Sequence, residues 1–274
     1  MNKVKYIIIL LFLILNSCVK QTTWPVPDQL VNLIVVDAII TDVPGRQAIH
    51  LSYPVTNLNE SPRPVTNAIV LISNEDSSWT LTEPDSIPGT YLTNPTFYTG
   101  LDKNYSLHIS VGDKIYTAKT FMVPGKSFGP LHYIQNTDNN LYHIDYVSSA
   151  FSSSDPAMWE IIIDWSHVPG WEQNDPQKSI ARLLFYTLPT LDISEVFAPV
   201  MEQVSFPAGS IITERRYSLN PDHAAYIREL LLETNWQGGL FPSAPANVKT
   251  NLSNGATGFF GACAVTSLSL TVTP

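Results

Sequence analysis

Short apolar runs separated by turn residues constrain the fold of this chain more than any other feature of its sequence. Between residues 33 and 122 these runs are rich in β-branched and aromatic residues and show no helical period. The last two runs alternate around Gly112-Asp113, which is typical of a hairpin. The spacing predicts an Ig-like β-sandwich over residues 31–123. We expect its strands over residues 33–40, 48–53, 68–73, 78–82, 90–93, 105–111 and 114–122.

The second half of the chain carries longer strand-like runs and one helical pattern. Asn220 suits a helix N-cap and Pro221 the first helical position, and apolar residues follow at helical spacing. We therefore expect a helix over about residues 221–235, inside a β-rich C-terminal domain of residues 124–274. The predicted fold class is mainly β, an Ig-like β-sandwich followed by a β-rich domain with one α-helix. Strands are expected over residues 131–135, 141–147, 158–165, 182–188 and 211–219, with a final strand over about 258–273.

The N-terminus has the features of a secretory signal peptide. Lys3 and Lys5 precede an apolar run that ends at Leu15, well short of the roughly 20 residues that a transmembrane helix needs. Residues 15–18 (LNSC) resemble the lipobox of bacterial lipoproteins, in which the cysteine receives a diacylglycerol and the preceding signal is cleaved. We expect a signal peptide over residues 1–17, lipidation at Cys18 and a tether over residues 18–30, since several acyl chains hold a protein stably on a membrane.

Charge and cysteine content exclude several classes of partner and site. The chain has 15 Lys and Arg against 24 Asp and Glu, a net charge of −9, and removal of residues 1–17 takes away two lysines to leave −11. This acidity argues against nucleic acid, which selects clustered basic residues. With Cys18 lipidated, Cys263 has no partner for an intramolecular disulfide, and its apolar neighbours predict a buried, unreactive thiol. We expect no cofactor.

Motifs along most of the chain resemble one family. After the predicted helix come, in order, residues 238–241 (GGLF), 245–248 (PANV), 251–256 (NLSNGA) and 258–262 (GFFGA). The N-terminal half agrees through residues 35–41 (VVDAIIT), Pro44-Gly45, Pro64-Val65, residues 89–91 and 105–109. Together these motifs resemble the domain-of-unknown-function 4249 family of Bacteroidota envelope lipoproteins, over about residues 19–272. Ala38 stands where that family more often has glycine.

The resemblance implies a two-part, β-rich lipoprotein that is often encoded beside TonB-dependent outer-membrane transporters. It implies no known reaction, so it supplies no catalytic residues. We expect a non-enzymatic accessory or binding component of a TonB-dependent uptake or envelope system, lipid-anchored in the outer membrane, with such a transporter as its partner. Residues 20–23 contain no acidic residue, which favours the periplasmic face over the cell surface. The alternatives are an envelope enzyme with a site assembled from scattered residues, and a surface adhesin or structural protein.

The loop before the final strand is the one candidate site that the sequence offers. In one interpretation the loop is a structural closure, in which its Asn-Gly turn and glycines let the backbone approach other segments closely. As a ligand loop, its asparagines would supply polar contacts. We favour the structural role, because Gly, Asn and Pro dominate turns for backbone reasons alone. The candidate residues are Asn247, Asn251, Asn254, Gly255, Phe259 and Phe260.

Paired carboxylates and nucleophiles are weaker candidates. Glu160 and Asp164 would share one face of a strand about 13 Å apart, whereas glycosidase carboxylates need about 5–9.5 Å. The sequence contains no serine-nucleophile, zinc-protease or phosphate-loop motif. We therefore predict no catalytic residues.

Histidines and tryptophans supply two further hypotheses. His132, His143 and Asp145 could converge across a hairpin as metal ligands, with His167 as a third imidazole, but a one-residue change of register would separate them. We predict no metal site and expect these side chains to face solvent. Four tryptophans near expected loops could contact a partner or plug the ends of the sandwich. They are Trp24, Trp79, Trp171 and Trp236.

Overall fold

The computed structural model describes residues 33–55, 60–147, 155–171, 176–188, 204–234 and 248–274, which belong to one compact unit. The predicted signal peptide, Cys18 and the tether lie outside the described residues. Within the described part, no helix has the length and apolar character needed to cross a bilayer. The fold is mainly β, as predicted, with a single α-helix among the described residues.

The strands follow the predicted runs closely. The helix, α1, spans Pro221–Thr234. In chain order the strands are β1 (Val35–Thr41), β2 (Ala48–Ser52), β3 (Ile69–Ser73), β4 (Ser78–Thr80), β5 (Thr90–Leu92), β6 (Lys103–Val111), β7 (Lys114–Met122), β8 (His132–Gln135), β9 (Tyr142–Tyr146), β10 (Ala157–Asp164), β11 (Ile180–Thr187), β12 (Ile211–Ser218), β13 (Thr257–Cys263) and β14 (Val265–Thr271).

Two four-stranded sheets form the predicted Ig-like sandwich. Sheet I has the strand order β13-β1-β2-β5, and sheet II has the order β4-β3-β6-β7. Burial alternates along the strands, as in β7, where Tyr116, Ala118 and Met122 are buried and the residues between them include exposed ones. This period of two places one face of each sheet in a shared core. Core residues of the sandwich include Val36, Ile40, Ile72, Leu107, Ile109 and Phe260.

The sandwich draws one strand from the far end of the chain. β13 pairs in parallel with β1, and its Phe260 and Ala262 are fully buried in the sandwich core. The approach is so close that a Cβ on Gly258 would lie 2.0 Å from the carbonyl oxygen of Val36, so only glycine fits there. The expected boundary at residue 123 therefore does not enclose the sandwich, because residues 31–123 lack one of its strands.

The predicted final strand is two strands in different sheets. β13 belongs to sheet I, whereas β14 pairs antiparallel with β12 in sheet III, whose order is β11-β10-β12-β14. Ala264, which is fully buried, is the single residue between them. Both strands carry the same β-type composition and no turn residue marks the crossing, so the sequence did not reveal the change of sheet.

Sheet III packs against different elements on its two faces, and among the described residues its outer face is covered only at one end. Its inner face packs against the β8–β9 hairpin around Ile161, Ile163, Phe206 and Ile212. One end of its outer face packs against α1, which also contacts β13 of sheet I. The helix thus lies where the sandwich and sheet III meet.

The N-cap of α1 is confirmed and has a second role. The side-chain oxygen of Asn220 accepts a hydrogen bond from the backbone N–H of His223 at 2.9 Å. Its amide nitrogen donates to the Thr120 hydroxyl at 3.1 Å and to the Phe121 carbonyl at 2.8 Å, both on β7. One capping residue therefore begins the helix and ties it to sheet II.

Candidate functional site

Charged side chains from three neighbouring strands meet on the outer face of sheet III. The register places Glu160 of β10 opposite Leu184 of β11 and Arg215 of β12. The Glu160 carboxylate accepts hydrogen bonds from Nε of Arg182, from a terminal nitrogen of Arg215 at 3.3 Å and from the hydroxyl of Tyr217 at 2.9 Å. We call Glu160, Arg182, Leu184, Arg215 and Tyr217 the arginine surface.

The arginine surface combines a buried anion with exposed cations. The side chain of Glu160 is 4% exposed, whereas those of Arg182 and Arg215 are 64% and 43% exposed. Two guanidinium groups share one carboxylate, which leaves a net positive charge on the surface of an acidic protein. Leu184, at 48% exposure, lies beside them. Burial, together with the bond to Glu160, raises the pKa of Tyr217, so its hydroxyl stays protonated and donates.

Sequence reasoning noticed Glu160 but missed the residues that surround it. Arg215-Arg216 is only a pair of basic residues in the sequence, and Arg182 belongs to no pattern. The available signal was the glutamate itself, because a carboxylate inside an apolar strand requires hydrogen-bonding partners. Asp164 lies on the same face and is held separately by Ser166, whose backbone and hydroxyl bond to it at 2.9 and 2.7 Å and lower its pKa.

The inner face of sheet III contains a second buried carboxyl group in a different environment. Glu214 is 2% exposed, and among the described residues neither of its oxygens has a hydrogen-bond partner of good geometry. Burial raises its pKa to about 7, although the nearby backbone of Leu131 offsets part of that shift. The neighbouring Arg216 is engaged elsewhere, with the Ser218 hydroxyl at 2.6 Å and over the ring of Trp159 at 5.6 Å.

A buried histidine and cysteine lie between α1 and β13. The Sγ atom of Cys263 is 3.6 Å from Nδ1 of His223. Burial lowers the pKa of His223 to about 4 and raises the pKa of Cys263 to about 12, so both groups are neutral near pH 7. A nucleophilic cysteine needs the opposite shifts. Gly261 makes room for the imidazole, since a Cβ there would lie 2.5 Å from the ring, and Phe259 stacks on it at 4.9 Å.

The asparagines of the candidate loop bond to backbone groups. Asn251 donates to the carbonyls of Lys119 and Phe260 at 2.9 and 2.8 Å and accepts from the Phe260 N–H at 3.0 Å. Asn254 donates to the carbonyl of Ile115 at 2.7 Å, and Ser253 bonds to both backbone groups of Thr117. The loop thereby covers the free edge of β7, which is the arrangement expected of a structural closure.

The other loop candidates also have packing roles. Asn254 and Gly255 both have positive φ and make the predicted turn. Phe260 is fully buried in the sandwich core, and Phe259 stacks between His223 and Tyr226. Asn247 lies outside the described residues, and the ligand-binding alternative for the loop stays a prediction.

The histidines of the metal hypothesis do not converge among the described residues. His132 lies 3.6 Å from Asp145 across the β8–β9 hairpin, and both are exposed. His143 pairs with Ile134 in the ladder, and His167 bonds to the carbonyl oxygen of Gly209 at 3.0 Å. Within the described part of the chain, no three potential ligands lie together.

The tryptophans divide between packing and exposure. Trp79 meets Phe97 edge-to-face at 5.0 Å and closes one part of the sandwich core. Trp171 is 42% exposed. Trp159 is buried and stacked on Phe185 at 5.5 Å, so it is a core residue. Trp24 and Trp236 lie outside the described residues.

The fold and these contacts define a mainly β protein with an Ig-like sandwich, a second packed sheet and a helix between them. The chain belongs to the family described as domain of unknown function (DUF4249), whose model matches residues 20–269. Among solved structures it is similar to the chicken CNTN1 FN1-FN3 domains, with 10% identity and a TM-score of 0.29, covering 68% of this chain and 60% of that one. It thus spans less than two thirds of the chicken chain. No curated protein matches the sequence.

Proposed function

We propose that this protein is a lipid-anchored outer-membrane lipoprotein that acts by binding another protein, as a non-enzymatic component of a TonB-dependent uptake or envelope system. In this proposal Cys18 carries the anchor and the folded part faces the periplasm. The lipobox resemblance supports the anchor, and the family resemblance stated from the sequence supports the transporter as partner.

The arginine surface is the observation that carries the binding role. Protein interfaces are enriched in arginine, and their strongest contacts combine arginine or aromatic side chains with apolar neighbours. Here Glu160 holds two exposed guanidinium groups in place beside the exposed side chain of Leu184. Each arginine has further N–H donors beyond the one that bonds to Glu160, so each can also bind carboxylate or carbonyl oxygens of a partner.

The experiment is a pull-down from detergent-solubilised envelopes through a C-terminal tag. We expect the wild type to recover a TonB-dependent transporter in stoichiometric amount, and Cys18→Ala to recover much less, because that variant does not reach the membrane. Recovery of the protein alone would contradict the accessory role and leave the enzyme and adhesin alternatives.

A matched pair of variants tests the assigned surface. Arg182→Gln with Leu184→Ser removes one cation and one exposed apolar side chain from the arginine surface. Lys119→Gln with Ile69→Ser makes the same changes on sheet II, where Ile69 is 63% exposed. We expect the first variant to lose the transporter and the second to keep it. Equal recovery by both variants would show that the partner binds elsewhere.

A further inference from the structure

The edge strands β7 of sheet II and β14 of sheet III differ in how the rest of the chain covers them. The loop at residues 251–254 covers the free edge of β7 with backbone and side-chain hydrogen bonds. β14 is the last strand of sheet III, and among the described residues no strand or loop pairs with its outer edge. Uncovered edges are templates for pairing with another chain.

The outward-pointing backbone groups of β14 can be assigned from its hydrogen bonds. Ala264 accepts from the N–H of Ser218, and Val272 exchanges bonds with Ser210 and Gly209, so the even-numbered residues face the neighbouring chain segment. Because the direction alternates along an antiparallel strand, the odd-numbered residues point away from β12. The open edge therefore presents the N–H and C=O groups of Ser267, Ser269 and Thr271.

Both ends of this open edge are capped within the chain. The N–H of Val265 donates to the carboxylate of Asp42 at 2.7 Å. The N–H of Thr273 donates to the hydroxyl of Tyr133 at 3.0 Å. The three open residues lie symmetrically between these caps, with Ser269 at the centre.

The chemistry of β14 favours a second copy of the same chain as the occupant. Val265–Thr271 contains no charged residue and no proline, the two devices that usually block edge pairing. The opposite edge strand of sheet III, β11, carries Arg182 and is thus protected by a charge. Because β14 carries no charge, two copies that pair antiparallel through it oppose no like charges along the strand.

We propose that two copies of this protein pair antiparallel through β14, about a two-fold axis at Ser269. Ser269 of one copy then lies opposite Ser269 of the other, and Ser267 of one copy lies opposite Thr271 of the other. The two four-stranded sheets become one continuous sheet across the axis, and the half-buried Leu268 and Leu270 extend the inner core. The pairing uses the β14 edge of sheet III, whereas the arginine surface lies on the outer face of that sheet, so the pairing does not depend on the transporter.

Disulfide trapping tests both the contact and its register. Directly opposed residues of a hydrogen-bonded antiparallel pair have Cα atoms about 5.5 Å apart, within the range of a disulfide. The two Ser267 residues of the dimer would be offset by four residues at about 3.4 Å each, which makes about 14 Å. This distance is too long for a disulfide. In full-length protein in isolated envelopes, we expect mild oxidation to link Ser269→Cys into dimers and to leave Ser267→Cys unlinked, as in the wild type. Equal linking of both variants, or a link from Ser269→Cys to another protein, would overturn the proposal.

A mass measurement on the full-length protein in detergent tests the contact without cysteine. Ser269→Pro removes the outward N–H and leaves the ladder with β12 intact, whereas Ser269→Ala keeps that N–H. Both lose the bond between Ser269 and Thr213, so this loss is matched. We expect a dimer for the wild type and Ser269→Ala, and a monomer for Ser269→Pro. We expect Ser269→Lys and Ser269→Glu to be monomers alone and to dimerise when mixed. A monomeric wild type would overturn the proposal.

Discussion

Glu160 and Glu214 lie on neighbouring strands of one sheet and are equally buried, yet their environments are opposite. Glu160 accepts hydrogen bonds from two arginines and a tyrosine on the outer face. Glu214 faces the apolar contact with the β8–β9 hairpin, and among the described residues its oxygens have no hydrogen-bond partner of good geometry. The difference shows that burial alone does not determine what a carboxyl group contributes. Partners let one group organise a charged surface, whereas burial without such partners raises the pKa of the other to about 7.

The largest expected effect comes from neutralising Glu160. Glu160→Gln keeps the shape of the side chain but removes the charge, and it places an amide against donors that have lost their acceptor. We expect the free energy of unfolding at pH 7 to fall by about 2–3 kcal/mol, below the full value for a broken buried ion pair because the arginines can regain water. Denaturant unfolding of the wild type and of Glu160→Gln measures this difference in the free energy of unfolding. An unchanged midpoint would contradict the organising role assigned to Glu160.

Replacing Glu214 by glutamine is expected to raise the free energy of unfolding, whereas the same replacement at Glu160 lowers it. Its folded pKa of about 7 lies above the ordinary value of 4.5, so the folded state holds a proton that the unfolded state has released. Stability is therefore full below about pH 4.5, falls as the pH rises towards 7 and is flat above it. We expect Glu214→Gln to be about 2–3 kcal/mol more stable than the wild type at pH 8 and similar to it at pH 4.5.

Unfolding of the wild type and Glu214→Gln at a series of pH values measures this difference. Glu160→Gln is the control, since it should show no comparable gain at pH 8. A wild-type stability that rises between pH 5 and pH 8 relative to Glu214→Gln would contradict the assignment of a neutral, unpartnered carboxyl group.

The sequence predicted the strands better than their assembly. Alternating burial and turn residues are local signals, and they located the runs of the sandwich, the hairpin at Gly112 and the helix with its cap at Asn220. Pairing between β1 and β13 joins residues more than two hundred positions apart, and no local pattern encodes it. The same limit explains the single strand predicted over residues 258–273, because the chain changes sheets at Ala264 without a turn residue.

The candidate site was less predictable for the same reason. Glu160 and Glu214 both stand in apolar strands, and composition alone does not distinguish them. Their difference depends on the register with β11 and β12, which brings Arg182 and Arg215 to one carboxylate and leaves the other facing the hairpin. The asparagines of the loop were recognisable as turn formers, but their backbone partners on β7 became visible only in the fold.

A smaller effect is expected from removing one of the three donors to Glu160. Tyr217→Phe deletes the hydroxyl that donates to the carboxylate at 2.9 Å and leaves the ring in place. We expect a loss of about 1–1.5 kcal/mol, because the arginines still bond to the charge. Unfolding of the double variant Tyr217→Phe with Glu160→Gln separates this bond from ring packing, since the second change should then add less than it does in the wild type. Strict additivity would show that the hydroxyl is not coupled to Glu160.

The smallest effect is expected at Arg182, although it contacts the same carboxylate. Its side chain is 64% exposed, so water replaces the lost bond and salt screens the attraction. We expect Arg182→Gln to lower the free energy of unfolding by about 0.5 kcal/mol at low salt, and by less at high salt. A loss as large as that of Glu160→Gln, and insensitive to salt, would mean that the ion pair stabilises the sheet as a unit. A near-native stability would instead mean that Arg182 contributes little to the fold, so that any loss of a partner by an Arg182 variant reports on binding.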